Sequence, residues 1–268
     1  MSRIALIAGE GALAPALAQG LRDPLVFALE GVRPALPATP FRIERLVPFF
    51  DHLHGLGVDR VVFAGAIRRP RLDPEAFDPR TAQLVPRILM AMQSGDDGAL
   101  RAVLELFEEN DISIAAVGEI RPDLIPQPGV LVGEPSEPDR RDTMRARAIL
   151  RTTGALDLGQ GVVVAQGLCL ALETLPGTQA MLEFAARHGA LRPDPAGARG
   201  VLFKAPKNGQ DLRIDLPTIG PDTVDQAARA GLAGIAWRGG ATIVLSRDDC
   251  VRRAAAAGLF LWACEDAD

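Results

Sequence analysis

The sequence predicts an α/β protein of two domains, the first built on a mostly parallel sheet. Three observations carry this. Short apolar runs bounded by Gly or Pro alternate with helix-like stretches through the first 120 residues. A stretch rich in proline and charge then interrupts the alternation. Beyond it a second set of strand-like and helix-like segments begins.

In chain order, IALIAG (4–9), LVFALEG (25–31), RVVFAGAI (60–67) and ISIAAVGEI (112–120) read as buried strands. Phe41 to Leu56 and Leu100 to Glu109 read as helices between them. Strands separated by helices imply βαβ units and parallel neighbours. RPDLIPQPGVLVGEPSEPDRRD (121–142) carries five prolines and mixed charge, the composition of a boundary, and helix-like MRARAILRT follows. The expected division is a domain over 1–133, a linker over 134–150 and a second domain over 151–268.

In the second region GVVVAQGLCLALETL suggests two strands or one long bent one, and TQAMLEFAARHG an amphipathic helix. GVLFKAP and DLRIDLP read as strands. Alternation in the latter would turn Leu212, Ile214 and Leu216 to the core, and Asp211, Arg213 and Asp215 to water or a cleft. PDTVDQAARAG reads as a helix capped by Asp222 or Thr223 and ending at Gly231. GIAW and ATIVLS are expected strands, RDDCVRRAAAAG a helix and LFLWAC a core strand. The cleft between the two domains is the default place for a ligand.

Composition narrows the function. With 268 residues, 48% of them hydrophobic, the chain can bury a sizeable core and does not fit a disordered protein. A net charge of −5 gives no general attraction to nucleic acid or anionic lipid, so phosphate recognition needs a local basic cluster or backbone amides. The absence of Tyr and an aromatic content of 4% argue against a stacking platform for single-stranded nucleic acid. Three widely spaced cysteines, Cys169, Cys250 and Cys264, argue against a disulfide framework and fit a reducing cytoplasm. Because the N-terminus runs straight into IALIAG, no signal peptide is expected, and no apolar run approaches the roughly 20 residues of a membrane span.

Four segments could carry chemistry. In AGEGALAP, Gly9 and Gly11 follow a strand and open a helix, where backbone amides can cradle a phosphate. Glu30 then stands about 20 residues on, where a dinucleotide fold places its ribose-binding acid, although the third glycine of that fingerprint is missing. GAIRRPR delivers Arg68, Arg69 and Arg71 at a strand's carboxyl end; their planar forks suit phosphate, and the competing reading is a solvated basic loop. In SGDDGALR, Asp96 and Asp97 are a helix cap and first-turn acid, or ligands for a metal or ribose. Lys204 and Lys207 add positive charge just ahead of DLRIDLP.

Asp225 has two readings. Asp222 and Asp225 have capping-box spacing. If Thr223 is the cap instead, Gln226 takes the third helical position and Asp225 is free to face a cleft and bind a metal. His52 and His54 are two residues apart and share no helix face, and there is no HExxH or CxxC spacing for zinc. No serine sits in a GxSxG elbow. These residues leave open a phosphate-acting hydrolase, a dinucleotide-dependent oxidoreductase and a non-catalytic nucleotide-sugar binding protein.

GQGVVVAQGLCLALETLPGTQAML, GVLFKAPKNGQDLRIDLPTIGPDTV and AARAGLAGIA, with the AGEG loop, GAIRRP and SGDDGALR, resemble the LpxI family. These are UDP-2,3-diacylglucosamine diphosphatases of lipid A biosynthesis. One departure is Pro15, which stands one residue later than the family pattern, after Ala14. The resemblance implies a Rossmann-like N-terminal domain, a C-terminal α/β domain specific to the family, and a homodimer. It implies Mg²⁺-dependent hydrolysis of the substrate's pyrophosphate to UMP and 2,3-diacylglucosamine 1-phosphate (lipid X), with water directed to the sugar-side phosphorus. The family's essential acid after DLPTIGP maps onto Asp225, the expected metal ligand, with Lys204 and Asp215 beside it in catalysis. Expected substrate contacts are Gly9, Gly11, Ala12, Arg68, Arg69, Asp96, Asp97, Gln166, Lys207, Asp211, Arg213 and Thr218. The implied setting is the cytoplasmic face of the inner membrane in peripheral contact, without a nucleic-acid partner.

Overall fold

The computed structural model describes residues 3–67, 70–93 and 96–265. The chain forms two compact units, Met1–Pro122 and Asp123–Asp268.

The first unit runs β1 (Arg3–Ala8), α1 (Leu13–Ala18), β2 (Leu25–Leu29), β3 (Thr39–Phe41), α2 (Leu46–Gly55) and β4 (Val58–Ala64). It continues with α3 (Val85–Gln93), α4 (Asp96–Glu108), β5 (Ser113–Ile114) and α5 (Val117–Ile120). The described strands form a parallel sheet in the order β3-β2-β1-β4-β5. Ala5 to Ala8 are all buried, as a central parallel strand covered on both faces requires. The strand order reverses between β1 and β4, and the crevice beyond their carboxyl ends is where open α/β sheets take ligands. Phenylalanines fill much of the core. Phe49 stacks on Phe41 at 4.2 Å, and Phe107 meets Phe50 and Phe63 edge-on at 4.9 and 5.3 Å. Lacking hydroxyls, these rings bury no polar group that needs a partner.

The second unit runs β6 (Gly129–Val132), α6 (Glu137–Gly154), β7 (Gly161–Ala165), β8 (Leu168–Leu172), α7 (Gly177–His188), β9 (Val201–Lys204) and β10 (Thr218–Ile219). Then come α8 (Pro221–Arg229), β11 (Gly234–Arg238), β12 (Ile243–Val244), α9 (Arg247–Ala257) and β13 (Phe260–Cys264). Its sheet has the order β6-β13-β11-β9-β7-β8. β9, β11 and β13 are parallel, while β6, β7 and β8 each pair antiparallel. Strand alternation splits the core in two. Val162, Val164, Val201 and Phe203 pack under Ala146 and Leu150 of α6. Val163, Leu202, Ile235 and Trp237 pack under Met181, Leu182, Val224, Ala227, Cys250 and Ala254 of α7, α8 and α9. β10 pairs with β12 in a separate two-stranded ribbon.

Four expectations are corrected here. The boundary falls at 122/123 instead of 133/134, because Gly129–Val132 already pairs with β13. The expected linker over 134–150 is mostly α6. Ser136 Oγ accepts from the Asp139 amide at 3.4 Å while Asp139 Oδ2 accepts from the Ser136 amide at 2.9 Å, a capping box that starts the helix where Pro138 is tolerated. DLRIDLP is a turn, not a strand. The Asp211 carbonyl accepts from the amides of Ile214 and Asp215 at 3.2 and 3.1 Å, and its carboxylate accepts from the Arg213 amide at 3.0 Å. That local bonding outcompetes a ladder, and Leu212, expected in the core, is 42% exposed. At α8 the cap is Gly220, with Pro221 in the first helical position and Thr223 Oγ1 accepting from the Gly220 amide at 3.3 Å.

The thiols differ in environment. Cys250 and Cys264 are buried, and burial pushes each up to about 11, whereas Cys169 is exposed. A maleimide reagent at pH 8 is therefore expected to label Cys169 in the native protein and the other two only in denaturant. Mass spectrometry of the labelled peptides checks this, and equal native labelling would contradict the burial.

Candidate functional site

In the first unit, the AGEG loop and the start of GAIRRPR lie side by side at the switch point of the sheet. Gly9 N donates to Ala64 O at 2.7 Å, Glu10 N to Ala66 O at 2.8 Å, and Ala66 N to Glu10 O at 3.0 Å. The Gly9 amide is thus committed to the neighbouring strand. A Cβ at Gly9 would stand 2.6 Å from Ala66 O, so close backbone approach demands this glycine. Gly11 has φ +94° with open space around it, and Ala12 precedes α1. Glu30, at the end of β2, pairs with Arg42 at 3.7 Å. Arg68 and Arg69 lie outside the described residues. Asp96 and Asp97 open α4, but their side chains are likewise outside the description. Gly9→Ala is expected to lower stability by about 1–3 kcal/mol through overpacking, read as a shift in denaturant midpoint.

In the second unit, the carboxyl edge of β9 and β11 gathers most of the other expected residues. The chain after β9 forms the Asp211 turn and then β10, which pairs Thr218 with Ile243 and Ile219 with Val244. This ribbon leads straight into α8. Arg213 holds the Asp211 carboxylate through Nε at 3.0 Å and a terminal nitrogen at 2.6 Å, so the alternating charges neutralise each other within the turn. Lys207 pairs with Asp157, and Gln210 donates to Asp215.

Lys204 ends β9 and is only 4% exposed. Its Nζ donates to Thr178 Oγ1 at 2.7 Å, lies 3.5 Å from Thr218 O and stands 3.8 Å from Glu173 Oε2. Thr178 in turn donates to Glu173 Oε1 at 2.6 Å, and Gln160 N to Glu173 Oε2 at 3.3 Å. Desolvation lowers the Lys204 pKa, with Glu173 pulling the other way.

Asp225 lies one turn into α8, beside the buried Val224, and its carboxylate accepts from Arg253 of α9. Arg253 also bonds Asp249 at 3.0 and 3.1 Å. That contact holds the Asp249 carboxyl below the usual range and raises the Arg253 guanidinium. The pair remains open to water, with Asp225 36% exposed and Arg253 38%. Among the described residues, no three His, Cys, Asp or Glu side chains gather to hold a metal. An ion here would rest on one carboxylate, waters and ligand oxygens, which suits Mg²⁺. No described helix is long and apolar enough to cross a membrane.

The order of the two units finds a counterpart in known proteins. The LpxI N-terminal domain matches residues 3–124, and the LpxI C-terminal domain matches residues 127–262. The chain belongs to the LpxI family. The UDP-2,3-diacylglucosamine pyrophosphatase LpxI of Caulobacter vibrioides is 37% identical to it over 271 aligned positions, covering 97% of each chain.

Within the LpxI C-terminal domain, Lys204 closes β9, Lys207, Asp211, Arg213 and Asp215 follow on the loop beyond its carboxyl end, Thr218 opens β10, and Asp225 stands in α8 against Arg253 of α9. Gln166 is not among them. β7 runs antiparallel to β9, which puts Gln166 at the opposite edge. There its side-chain amide bonds Asp194 and Ala198 carbonyls at 2.7 and 3.1 Å, and its backbone amide donates to Asp142 at 2.9 Å. Those bonds give it a loop-tying role. Glu173, Thr178 and Arg253 escaped the sequence reading. A lysine closing an otherwise apolar strand, as in VLFK, was the available signal, since a buried ammonium needs partners.

Proposed function

We propose that this chain hydrolyses the pyrophosphate of UDP-2,3-diacylglucosamine, giving UMP and 2,3-diacylglucosamine 1-phosphate, lipid X. The observation that carries this is the 37% identity, across 97% of both chains, to a protein named for that substrate. Water adds to the sugar-side phosphorus, the bond from that phosphorus to the bridging oxygen breaks, and UMP leaves with the bridging oxygen. Two anionic products form, so the reaction needs positive charge on the phosphate oxygens.

Lys207 and Arg213, on the loop after β9, would supply it by exchanging Asp157 and Asp211 for phosphate oxygens. Asp225, the acid that the family resemblance singles out, would hold the Mg²⁺ ion by exchanging its contact with Arg253, which keeps Asp249 as a partner. A bound Mg²⁺ would neutralise charge developing on the phosphoryl oxygens. The amide end of α8, capped by Gly220, adds partial positive charge. We place the enzyme as a homodimer in peripheral contact with the cytoplasmic face of the inner membrane, where a diacylated substrate resides. It has no nucleic-acid partner.

The test is incubation of purified protein with the diacyl substrate in ¹⁸O-water, with and without Mg²⁺. Turnover with Mg²⁺ and the label in the sugar phosphate are expected. Label in UMP would overturn the direction of attack, and no turnover with Mg²⁺ would overturn the function.

A further inference from the structure

We propose that Glu173, Thr178 and Lys204 form a buried positioning relay that holds the Thr218 carbonyl, and through it the entrance to α8, in place for catalysis. This rests on the function proposed above. Lys204 then acts on the reaction through the backbone and does not touch the substrate.

The relay is a chain of polar contacts of 2.6 to 3.5 Å, of which the one from Lys204 to Thr218 is the longest. Gln160 N meets Glu173 Oε2, Glu173 Oε1 accepts from Thr178, Thr178 accepts from Lys204, and Lys204 Nζ reaches Thr218 O. The room for it is built in. A Cβ at Gly161, the residue paired with Lys204, would stand 2.7 Å from Glu173 Oε2. A Cβ at Gly159 would stand 2.1 Å from Glu173 O. On the other side Trp237, in register with Lys204 and fully buried, closes the cluster. An ammonium only 4% exposed and held by Thr178 is directed inward, and its contact with Thr218 O reaches the chain that carries Asp225. Thr218 is followed by Ile219 and then by Gly220, the α8 cap, whose carbonyl accepts from Thr223 and Val224 at 3.0 and 3.2 Å. If Thr218 shifts, the first turn of α8 shifts, and Asp225 stands on the next one.

Thr178→Val keeps the side chain's shape and removes the hydroxyl link, and Thr178→Ser restores it. Glu173→Gln keeps the shape and removes the charge, so it serves if Thr178→Val fails to fold. Hydrogen exchange at the Thr223 and Val224 amides is expected to rise about tenfold in Thr178→Val and Glu173→Gln and to stay near wild type in Thr178→Ser. In the same two variants kcat is expected to fall about tenfold or more, because small displacements of a catalytic group are costly, with KM within about twofold. Unchanged exchange in both variants would overturn the proposal. So would a Thr178→Ser variant as impaired as Thr178→Val, or a raised KM with kcat intact, which would mean direct substrate contact. If the wild-type protein does not turn over the substrate, the functional reading fails, and the exchange comparison still decides the relay.

Discussion

Asp225→Ala is expected to lower kcat about 100- to 1000-fold, the scale of losing one electrostatic contact to the transition state, while substrate binding persists. The reason to expect a clean separation is the exposure of this carboxylate. Its pair with Arg253 is more than a third exposed on both sides. Pairs in that setting contribute about 0–1 kcal/mol, so the fold should lose little. Arg253 also keeps Asp249 as a partner when Asp225 is removed. The matching control is Arg253→Met, which breaks the same pair but leaves the carboxylate. It should retain activity within a few-fold. Steady-state kinetics, calorimetric titration with substrate and melting curves on both variants decide the matter. If Asp225→Ala turned over near the wild-type rate and merely melted earlier, Asp225 would be an interhelical ion-pair residue and nothing more.

The fold was legible wherever hydrophobic pattern and local bonding agree. IALIA, VVFA and GVVVA are apolar without interruption because both faces of their strands are largely covered, and they became parts of β1, β4 and β7. DLRIDLP has a perfect period of two, yet Asp211 bonds its own neighbours first, so the charge alternation recorded a turn. The prolines in 121–142 misled for a related reason. They precede β6 and open α6, places where a missing amide costs nothing, so they punctuate the start of the second unit without forming a linker. Site residues divide in the same way. The segment from Lys204 to Asp225 is contiguous in sequence, so one strand end, turn and helix follow one another and their order can be read along the chain. Glu173 and Thr178 reach Lys204 from a different strand end and helix, and no local spacing announces that meeting. Asp225 itself could not be ranked above its neighbouring acids by capping rules; the family resemblance singled it out.

Lys204→Met carries the largest expected effect on stability, about 3–5 kcal/mol. The lysine is nearly inaccessible and Glu173 is only 14% exposed, so removing the ammonium strands a carboxylate in a poorly solvated place. Thr178 would still donate to Glu173, but it would lose its own donor from Lys204. The double variant Lys204→Met with Glu173→Gln removes both charges and should regain a large part of the loss, because a neutral pair of similar volume carries no uncompensated charge. Denaturant unfolding of the wild type, both single variants and the double variant completes the cycle, and a coupling of less than about 0.5 kcal/mol would mean that the two side chains act independently. The double variant also separates stability from catalysis. It regains the buried cluster's neutrality without the contact to the Thr218 carbonyl, so a stable but slow enzyme is the expected product. A double variant that recovered both stability and rate would place the importance of Lys204 entirely in balancing Glu173.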